Sequence, residues 1–232
     1  TMTLSGATIK NNQSTEGGGV MGINANATVN FENCDVQENN AATAGGVIII
    51  NGAGKNSPNT PTLNINGGNT FAKNYSVNGG GVLRIRQEPT VTTKDTIVGN
   101  ETKANVYIKG MNTFSGNYAT GGYGGCLDIR TSGKVVISGA TFTGNQTQKD
   151  ASYCKGGAIN LSDGELGTGD VEITDCKFIN NTTPASTSQA CNGGAINVGG
   201  NGADLKLLVK VNNCLFDGNR GKQGGAVYLH GA

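Results

Sequence analysis

A repeat of two alternating signatures runs the length of the chain and restricts the folds open to it. The first signature is a Gly-Gly pair followed by a small or β-branched residue and an aliphatic one, and its pairs are Gly18-Gly19, Gly45-Gly46, Gly80-Gly81, Gly124-Gly125, Gly156-Gly157, Gly193-Gly194 and Gly224-Gly225. The second is an apolar residue followed three positions later by asparagine, at Asn12, Asn39, Asn74, Asn117, Asn145, Asn181 and Asn219. The two signatures alternate seven times, and such self-similarity is typical of a solenoid.

Apolar residues at a spacing of two flank each signature. In the fifth repeat, Val135 and Ile137 precede Phe142, while Ile159 and Leu161 follow the next Gly pair. This spacing predicts short strands with one buried face. The strand patterns keep their internal spacing in every repeat, and only the connections change length. Because crossovers between parallel strands are almost always right-handed, the sequence predicts an all-β, right-handed parallel β-helix of about seven coils.

The whole chain, residues 1–232, is predicted to form a single β-helix domain. Neither end carries an amphipathic helix that would cover the terminal coil, and open solenoid edges pair readily with other strands. We therefore expect the chain to be a segment of a longer surface protein. End-to-end self-association of the coils remains open as an alternative way to cover these edges.

The charge and hydropathy patterns exclude two classes of partner. Lys and Arg total 17, Asp and Glu total 16, and 14% of the residues are charged, so no net field attracts nucleic acid or an anionic membrane. The longest aliphatic run, residues 47–50, is far shorter than the roughly 20 apolar residues that a membrane-spanning helix needs. We expect no nucleic-acid partner and no direct membrane insertion by this segment.

The repeated glycines and asparagines are interpreted as structural. A Gly pair marks a tight corner that needs either a positive φ or a close approach of two backbones. Both cost little free energy only in a residue without a Cβ. An asparagine at the same point of every coil can hydrogen-bond neighbouring main chain and stack on its equivalents. The sequence therefore predicts a structural amide ladder made of Asn12, Asn39, Asn74, Asn117, Asn145, Asn181 and Asn219.

Four of the six cysteines occupy equivalent positions in adjacent coils. Cys154 and Cys191 each lie two residues before a Gly pair, and Cys176 and Cys214 each lie two residues before a Phe. Equivalent positions in neighbouring coils bring Cα atoms about 4.8 Å apart, within the disulfide range. Both pairs are candidate disulfides, and Cys154 with Cys191 is favoured because it lies in a variable connection. Cys34 and Cys126 have no stacked partner and are expected to be buried thiols.

The alternation of the two signatures resembles the repeats of the chlamydial polymorphic membrane proteins and of related bacterial surface proteins, over essentially the whole chain. Gly156-Gly157-Ala158-Ile159 with Phe178-Ile179-Asn180-Asn181, and Gly193-Gly194-Ala195-Ile196 with Phe216-Asp217-Gly218-Asn219, fit the pattern best. The early coils depart from it, with Val after the Gly pair and Ile9 or Val36 in place of Phe. The resemblance implies a secreted or surface-displayed adhesin built on a parallel β-helix.

One charged cluster is predicted on the strand that follows the Gly pair. Arg84 stacks on Asp128, and Arg86 stacks on Arg130, beneath the longest connection. A pair of arginines can bind a uronate or a sulfate through two parallel hydrogen bonds. The alternative interpretation, favoured about two to one, is a surface ion pair between Arg84 and Asp128 worth less than about 1 kcal/mol.

The sequence favours an extracellular or cell-surface repeat domain of the adhesin type, a rigid stalk whose loops bind a host surface protein or a glycan. Recognition is expected in the variable connections, since loops on a rigid scaffold carry most binding sites; they are residues 51–62, 87–104, 146–155, 182–192 and 199–208. We expect no enzymatic activity, catalytic residue, cofactor or metal. The alternatives are a polysaccharide-active lyase or hydrolase on the same fold, which needs clustered carboxylates, and a purely structural spacer.

Overall fold

The computed structural model describes residues 1–52, 59–86, 92–93, 96–97, 103–148, 153–162, 170–184, 190–199 and 207–230. All regular structure in these ranges is β-strand. No helix long and apolar enough to cross a membrane occurs within them.

Three seven-stranded parallel sheets and one shorter sheet form the walls of the molecule. In the first five coils the chain passes through them in the order A, B, C, D and then returns to A, and in the described residues of the last two coils it adds strands to A, B and D. Sheet A contains the strands Met2–Ser5, Thr28–Glu32, Thr62–Asn66, Asn105–Lys109, Val135–Ser138, Asp170–Thr174 and Leu208–Asn212. Sheet B contains Thr8–Lys10, Asp35–Gln37, Thr70–Ala72, Thr113–Ser115, Thr141–Thr143, Lys177–Ile179 and Leu215–Asp217.

Sheet C is the short wall between sheets B and D. Its strands are Gln13–Ser14, Asn40–Ala41, Tyr75–Ser76, Tyr118–Ala119 and Gln146–Thr147. Sheet D carries the strands that follow the Gly pairs, which are Met21–Asn24, Ile48–Asn51, Leu83–Arg86, Leu127–Arg130, Ile159–Ser162, Ile196–Gly199 and Val227–His230. These strands pair in register with their equivalents in the next coil, so the predicted right-handed parallel β-helix of seven coils is confirmed.

Two short pairs of strands lie outside sheets A, B, C and D. Thr92–Thr93 and Thr96–Ile97 form an antiparallel pair within the longest connection. Tyr153–Lys155 and Ala190–Asn192 form a parallel pair in the connections that lead from sheet C to sheet D. Both pairs therefore add structure where the repeat pattern changes length.

The core is one side chain thick and runs along the axis of the helix. Phe114, Phe142 and Phe178 are fully buried, and their rings stack in parallel with centroids 4.7 and 5.1 Å apart. In the first two coils Ile9 and Val36 occupy the equivalent position, as their paired registers show. The predicted inward orientation of this column is therefore confirmed.

The two glycines of each pair are required for different reasons. The first has a positive φ in every coil, as at Gly156, where φ is 68°. The second lies directly against the next coil, because a Cβ on Gly157 would come within 2.1 Å of the carbonyl oxygen of Gly194. An L side chain is unfavourable at the first position and is excluded by the neighbouring backbone at the second.

Candidate functional site

The predicted asparagines form a continuous chain of hydrogen bonds inside the molecule. Asn145 shows the pattern: its side-chain amide donates 3.0 Å bonds to the Phe114 carbonyl and to Oδ1 of Asn181, and its Oδ1 accepts from both the backbone N–H and the side-chain amide of Asn117. The same contacts link Asn12, Asn39, Asn74, Asn117, Asn145, Asn181 and Asn219. These residues hold the coils in register, and Asn39, Asn74, Asn117, Asn145 and Asn181 are buried.

A second, shorter ladder was missed from the sequence. Asn69 donates from its backbone and its side chain to Oδ1 of Asn112, and Oδ1 of Asn69 accepts from the backbone N–H of Cys34. Asn69 and Asn112 lie two residues before Phe71 and Phe114, at the position that cysteine occupies in other coils. The shared offset from Phe was the signal that could have revealed it.

Sheet D is the face on which functional residues gather. The connections from sheet C enter its strands on one side, and the connections to sheet A leave on the other, so both sets of variable segments flank it. The segments from sheet C also fold back over its outer face. A Cβ on Gly79, for example, would lie 3.1 Å from Oδ2 of Asp128, and one on Gly17 would lie 2.5 Å from Cδ1 of Ile49.

The predicted charged cluster is present on this face, but its carboxylate is buried. Asp128 has an exposed fraction of 0%, against 20% for the Arg84 side chain and 23% for Arg130. Nε of Arg84 lies 3.4 Å from Oδ2 of Asp128, and Nε of Arg130 lies 3.5 Å from Oδ1. The predicted ion pair between Arg84 and Asp128 is therefore present, but its acid is buried and not at the surface, because the back-folded segments cover it.

A polar ladder on sheet D supports the buried acid. The side-chain amide of Asn160 donates a 2.8 Å bond to Oδ1 of Asp128, and Asn197 donates an equal bond to Oδ1 of Asn160. Both asparagines are buried. They occupy the same position after the Gly pair as Asp128, a signal that sequence reasoning did not use. The ladder fixes the orientation of the carboxylate toward the two arginines.

Two further side chains complete this group, which we call the Asp128 cluster: Arg84, Asp128, Arg130, Tyr123 and Lys155. The guanidinium of Arg130 lies over the Tyr123 ring at 4.7 Å, and the Lys155 ammonium lies 5.8 Å from the same ring. The negative charge of Asp128 raises the pKa of Arg130. Burial, followed by repulsion from Arg130, lowers the pKa of Lys155. The cluster thus brings three cationic groups around one acid in a partly dry site.

The fourth predicted residue of the charged cluster, Arg86, is described only by its backbone. Its backbone pairs with Asn51 in sheet D, and its side chain lies outside the described residues. Part of each variable connection, including residues 53–58, 87–91, 149–152, 185–189 and 200–206, also lies outside them. Among the described residues, no group of three or more His, Cys, Asp or Glu is placed to hold a metal ion.

The cysteines of the two predicted pairs lie in register on neighbouring coils, but their side chains are thiols and not disulfides. Cys154 pairs directly with Cys191 on neighbouring strands, and burial together with a hydrogen bond that the thiol donates to Cys191 raises the pKa of Cys154 to about 12. Cys176 precedes a strand that pairs with the one following Cys214, and burial raises its pKa to about 11. No disulfide joins either pair in the structure, so the oxidised state stays a prediction. Cys34 and Cys126 are buried, as expected.

A groove opens next to Arg84 on the outer face of sheet D. It has a volume of about 270 Å³ and is lined by Thr43, Ala44, Ile49, Asn78 and Arg84. Ile49 is nearly buried and forms an apolar surface, whereas the hydroxyl, amide and guanidinium groups are polar. This combination of an apolar wall with a few convergent polar groups is typical of a small-molecule site.

The comparison with known families agrees with the repeat pattern. Residues 213–230 match the Chlamydia polymorphic membrane protein repeat. This stretch contains Phe216 and Asn219 of one signature and Gly224 and Gly225 of the other, so the resemblance deduced from the sequence is confirmed there. No curated protein and no solved structure matches the chain.

Proposed function

We propose that the chain is a cell-surface repeat domain of the adhesin type, in which a rigid β-helix presents variable connections and the outer face of sheet D to a host surface protein or glycan. Two findings support this proposal. The repeat at residues 213–230 matches a family whose name places it with membrane proteins, and the parallel solenoid fits a surface repeat domain.

The observation that carries the proposal is the separation of constant from variable structure. Sheets A, B and D keep seven strands in unbroken parallel pairing. The connections on the two flanks of sheet D differ in length from coil to coil, from the three residues 25–27 to the eighteen residues 87–104. A scaffold that tolerates such changes without losing register is suited to recognition, because a binding loop can vary while its attachment points stay fixed.

The first experiment is a binding screen of the purified chain against a glycan array and intact host cells, with mass spectrometry to detect cleaved polysaccharide. Saturable binding without turnover is the expected result. Release of a cleaved product would overturn the proposal in favour of a polysaccharide-active enzyme. Absence of saturable binding to every probe would instead support a structural spacer.

A loop exchange provides a matched variant. Residues 131–134 and 87–104 both join sheet D to sheet A, in neighbouring coils. Replacing 87–104 by a second copy of 131–134 should therefore leave the β-helix folded, with an unchanged far-ultraviolet circular dichroism spectrum. The proposal predicts that one or more of the variable connections, shortened singly in this way, removes cell binding. Full binding by every shortened variant and by an Arg84→Ala/Arg86→Ala/Arg130→Ala triple variant would contradict it.

A further inference from the structure

The groove beside Arg84 is built by two adjacent coils and is open on its outer side. Thr43, Ala44 and Ile49 come from the second coil, and Asn78 and Arg84 from the third. In the first coil, the position that pairs with Ile49 is Gly22, and the segment at Gly17 and Gly18 lies against the isoleucine, which keeps 7% of its exposure. The volume of about 270 Å³ lies just below the range of roughly 300–1,000 Å³ typical of drug-sized ligands, so the groove suits a ligand of about one sugar ring.

Arg84 is held in position before any ligand arrives. Its Nε lies 3.4 Å from the buried carboxylate of Asp128, and its Nη1 donates a 3.1 Å bond to the carbonyl oxygen of Asn78. Within the described residues, no acceptor occupies Nη2 or the second hydrogen of Nη1. These N–H groups belong to a side chain that retains 20% of its exposure, so they are accessible from the groove. A guanidinium fixed in this way loses little rotamer freedom when it binds an anion.

The charge around the groove favours an anionic ligand. Among the described residues, Arg84 and Arg130 both lie against the one carboxylate of Asp128, so these two side chains carry more positive charge than the acid offsets. The ladder through Asn160 holds that carboxylate on the inner side of the arginines. A bound anion would offset the excess of positive charge. Its hydrogen bonds to a guanidinium would also be stronger than hydrogen bonds between neutral groups, because both partners are charged.

We propose that this groove binds one unit of an acidic saccharide, with its carboxylate or sulfate on Arg84 and its hydroxyl groups next to Thr43 and Asn78. The inference rests on the proposed adhesin function and specifies the ligand class of one site. Asp128 acts as a positioning residue, because it holds Arg84 without reaching the groove itself.

The test measures binding by titration calorimetry with three probes: an oligogalacturonate, which carries only carboxylates, a heparin disaccharide, which carries sulfates, and the neutral sugar maltose. The wild-type chain should bind one or both acidic probes at least about tenfold more tightly than maltose. The acidic probe that binds identifies the anion. Failure of both acidic probes to bind, or equal binding of maltose, would overturn the inference.

The variants separate loss of the site from loss of the fold. Arg84→Gln should weaken binding of the acidic probe by about tenfold or more. Arg84→Gln/Asp128→Asn removes both charges of the Arg84–Asp128 ion pair, and should bind as weakly as the single variant. Arg220→Gln, which removes the same charge at an exposed site in the last coil, should bind like the wild type. Wild-type affinity in the double variant would refute the role of Arg84.

The same variants distinguish this inference from the adhesin function. If the acidic saccharides fail but the chain still binds host cells, the groove is not the site and the adhesin proposal stands. If binding to cells and to all probes is absent, both are refuted. Cell binding that falls with Arg84→Gln/Asp128→Asn, but not with Arg220→Gln, supports both.

Discussion

Substitution of Asn145 by alanine tests whether the internal amide ladder stabilises the protein. Asn145 is fully buried, and its Oδ1 accepts two 3.0 Å bonds, from the backbone N–H and the side-chain amide of Asn117. Removing the Asn145 amide leaves two buried N–H bonds of Asn117 without an acceptor, one from the backbone and one from the side-chain amide, whose other hydrogen bond goes to the Phe71 carbonyl. Each unsatisfied buried group costs about 1–3 kcal/mol, so we expect a loss of about 2–6 kcal/mol in the free energy of unfolding.

Asn12→Ala is the matched control. Asn12 occupies the same place in the repeat, but it is exposed and only donates bonds, to Asn39 and to the Lys10 carbonyl. Its removal leaves no buried donor without a partner, because Asn39 keeps its other bonds along the ladder. We expect a loss of less than about 1 kcal/mol.

Two measurements check this prediction. Urea denaturation followed by circular dichroism reports overall stability. Hydrogen exchange of the Asn117 amide reports the local effect, which matters because a solenoid can unfold coil by coil. Equal losses for Asn145→Ala and Asn12→Ala, together with unchanged exchange at Asn117, would refute the stabilising role of the ladder.

Three further predictions concern the core, the corners and the thiols. Phe142→Ala should destabilise the chain by about 3–5 kcal/mol, because it opens a cavity within a single column of stacked rings; an unchanged urea midpoint would contradict this. Gly157→Ala should prevent folding, since its Cβ would lie 2.1 Å from a backbone oxygen of the next coil. In the control Gly144→Ala, the Cβ would meet nothing within 4 Å, so the free energy of unfolding should fall by only about 1 kcal/mol. Soluble yield and circular dichroism distinguish the two outcomes. The pKa values of Cys154 and Cys176 are raised to about 12 and about 11, so both thiols should stay protonated at pH 8 and should not react with iodoacetamide. Labelling should begin as the pH rises toward these values or when the chain unfolds. Rapid labelling of the folded chain at pH 8, measured by mass spectrometry, would contradict this prediction.

The fold was predictable because its information is local and repeated. An apolar residue such as Val135 or Ile137 alternates with polar ones, and this period of two depends only on the pleat of a strand. The Gly pair also marks every coil, although the sequence left open whether φ or close approach explains it. The structure shows that both apply, one to each glycine.

The candidate site was predictable only in part. The repeat register placed Arg84 next to Asp128, and the structure pairs them. It did not reveal that Asp128 is buried, because the segments that cover sheet D come from connections with no regular period. The groove beside Ile49 was missed for the same reason, since its walls belong to two different coils.

By itself, the sequence determined the number of coils, the identity of the inward column and the residues stacked from coil to coil, because these follow from spacing along one chain and the constant distance between parallel strands. Only the tertiary structure decided which outward residues remain exposed. Burial of a polar group depends on which distant segment folds over it. The segments that fold over Asp128 bury its carboxylate, whereas Arg84 stays partly exposed and lines the neighbouring groove.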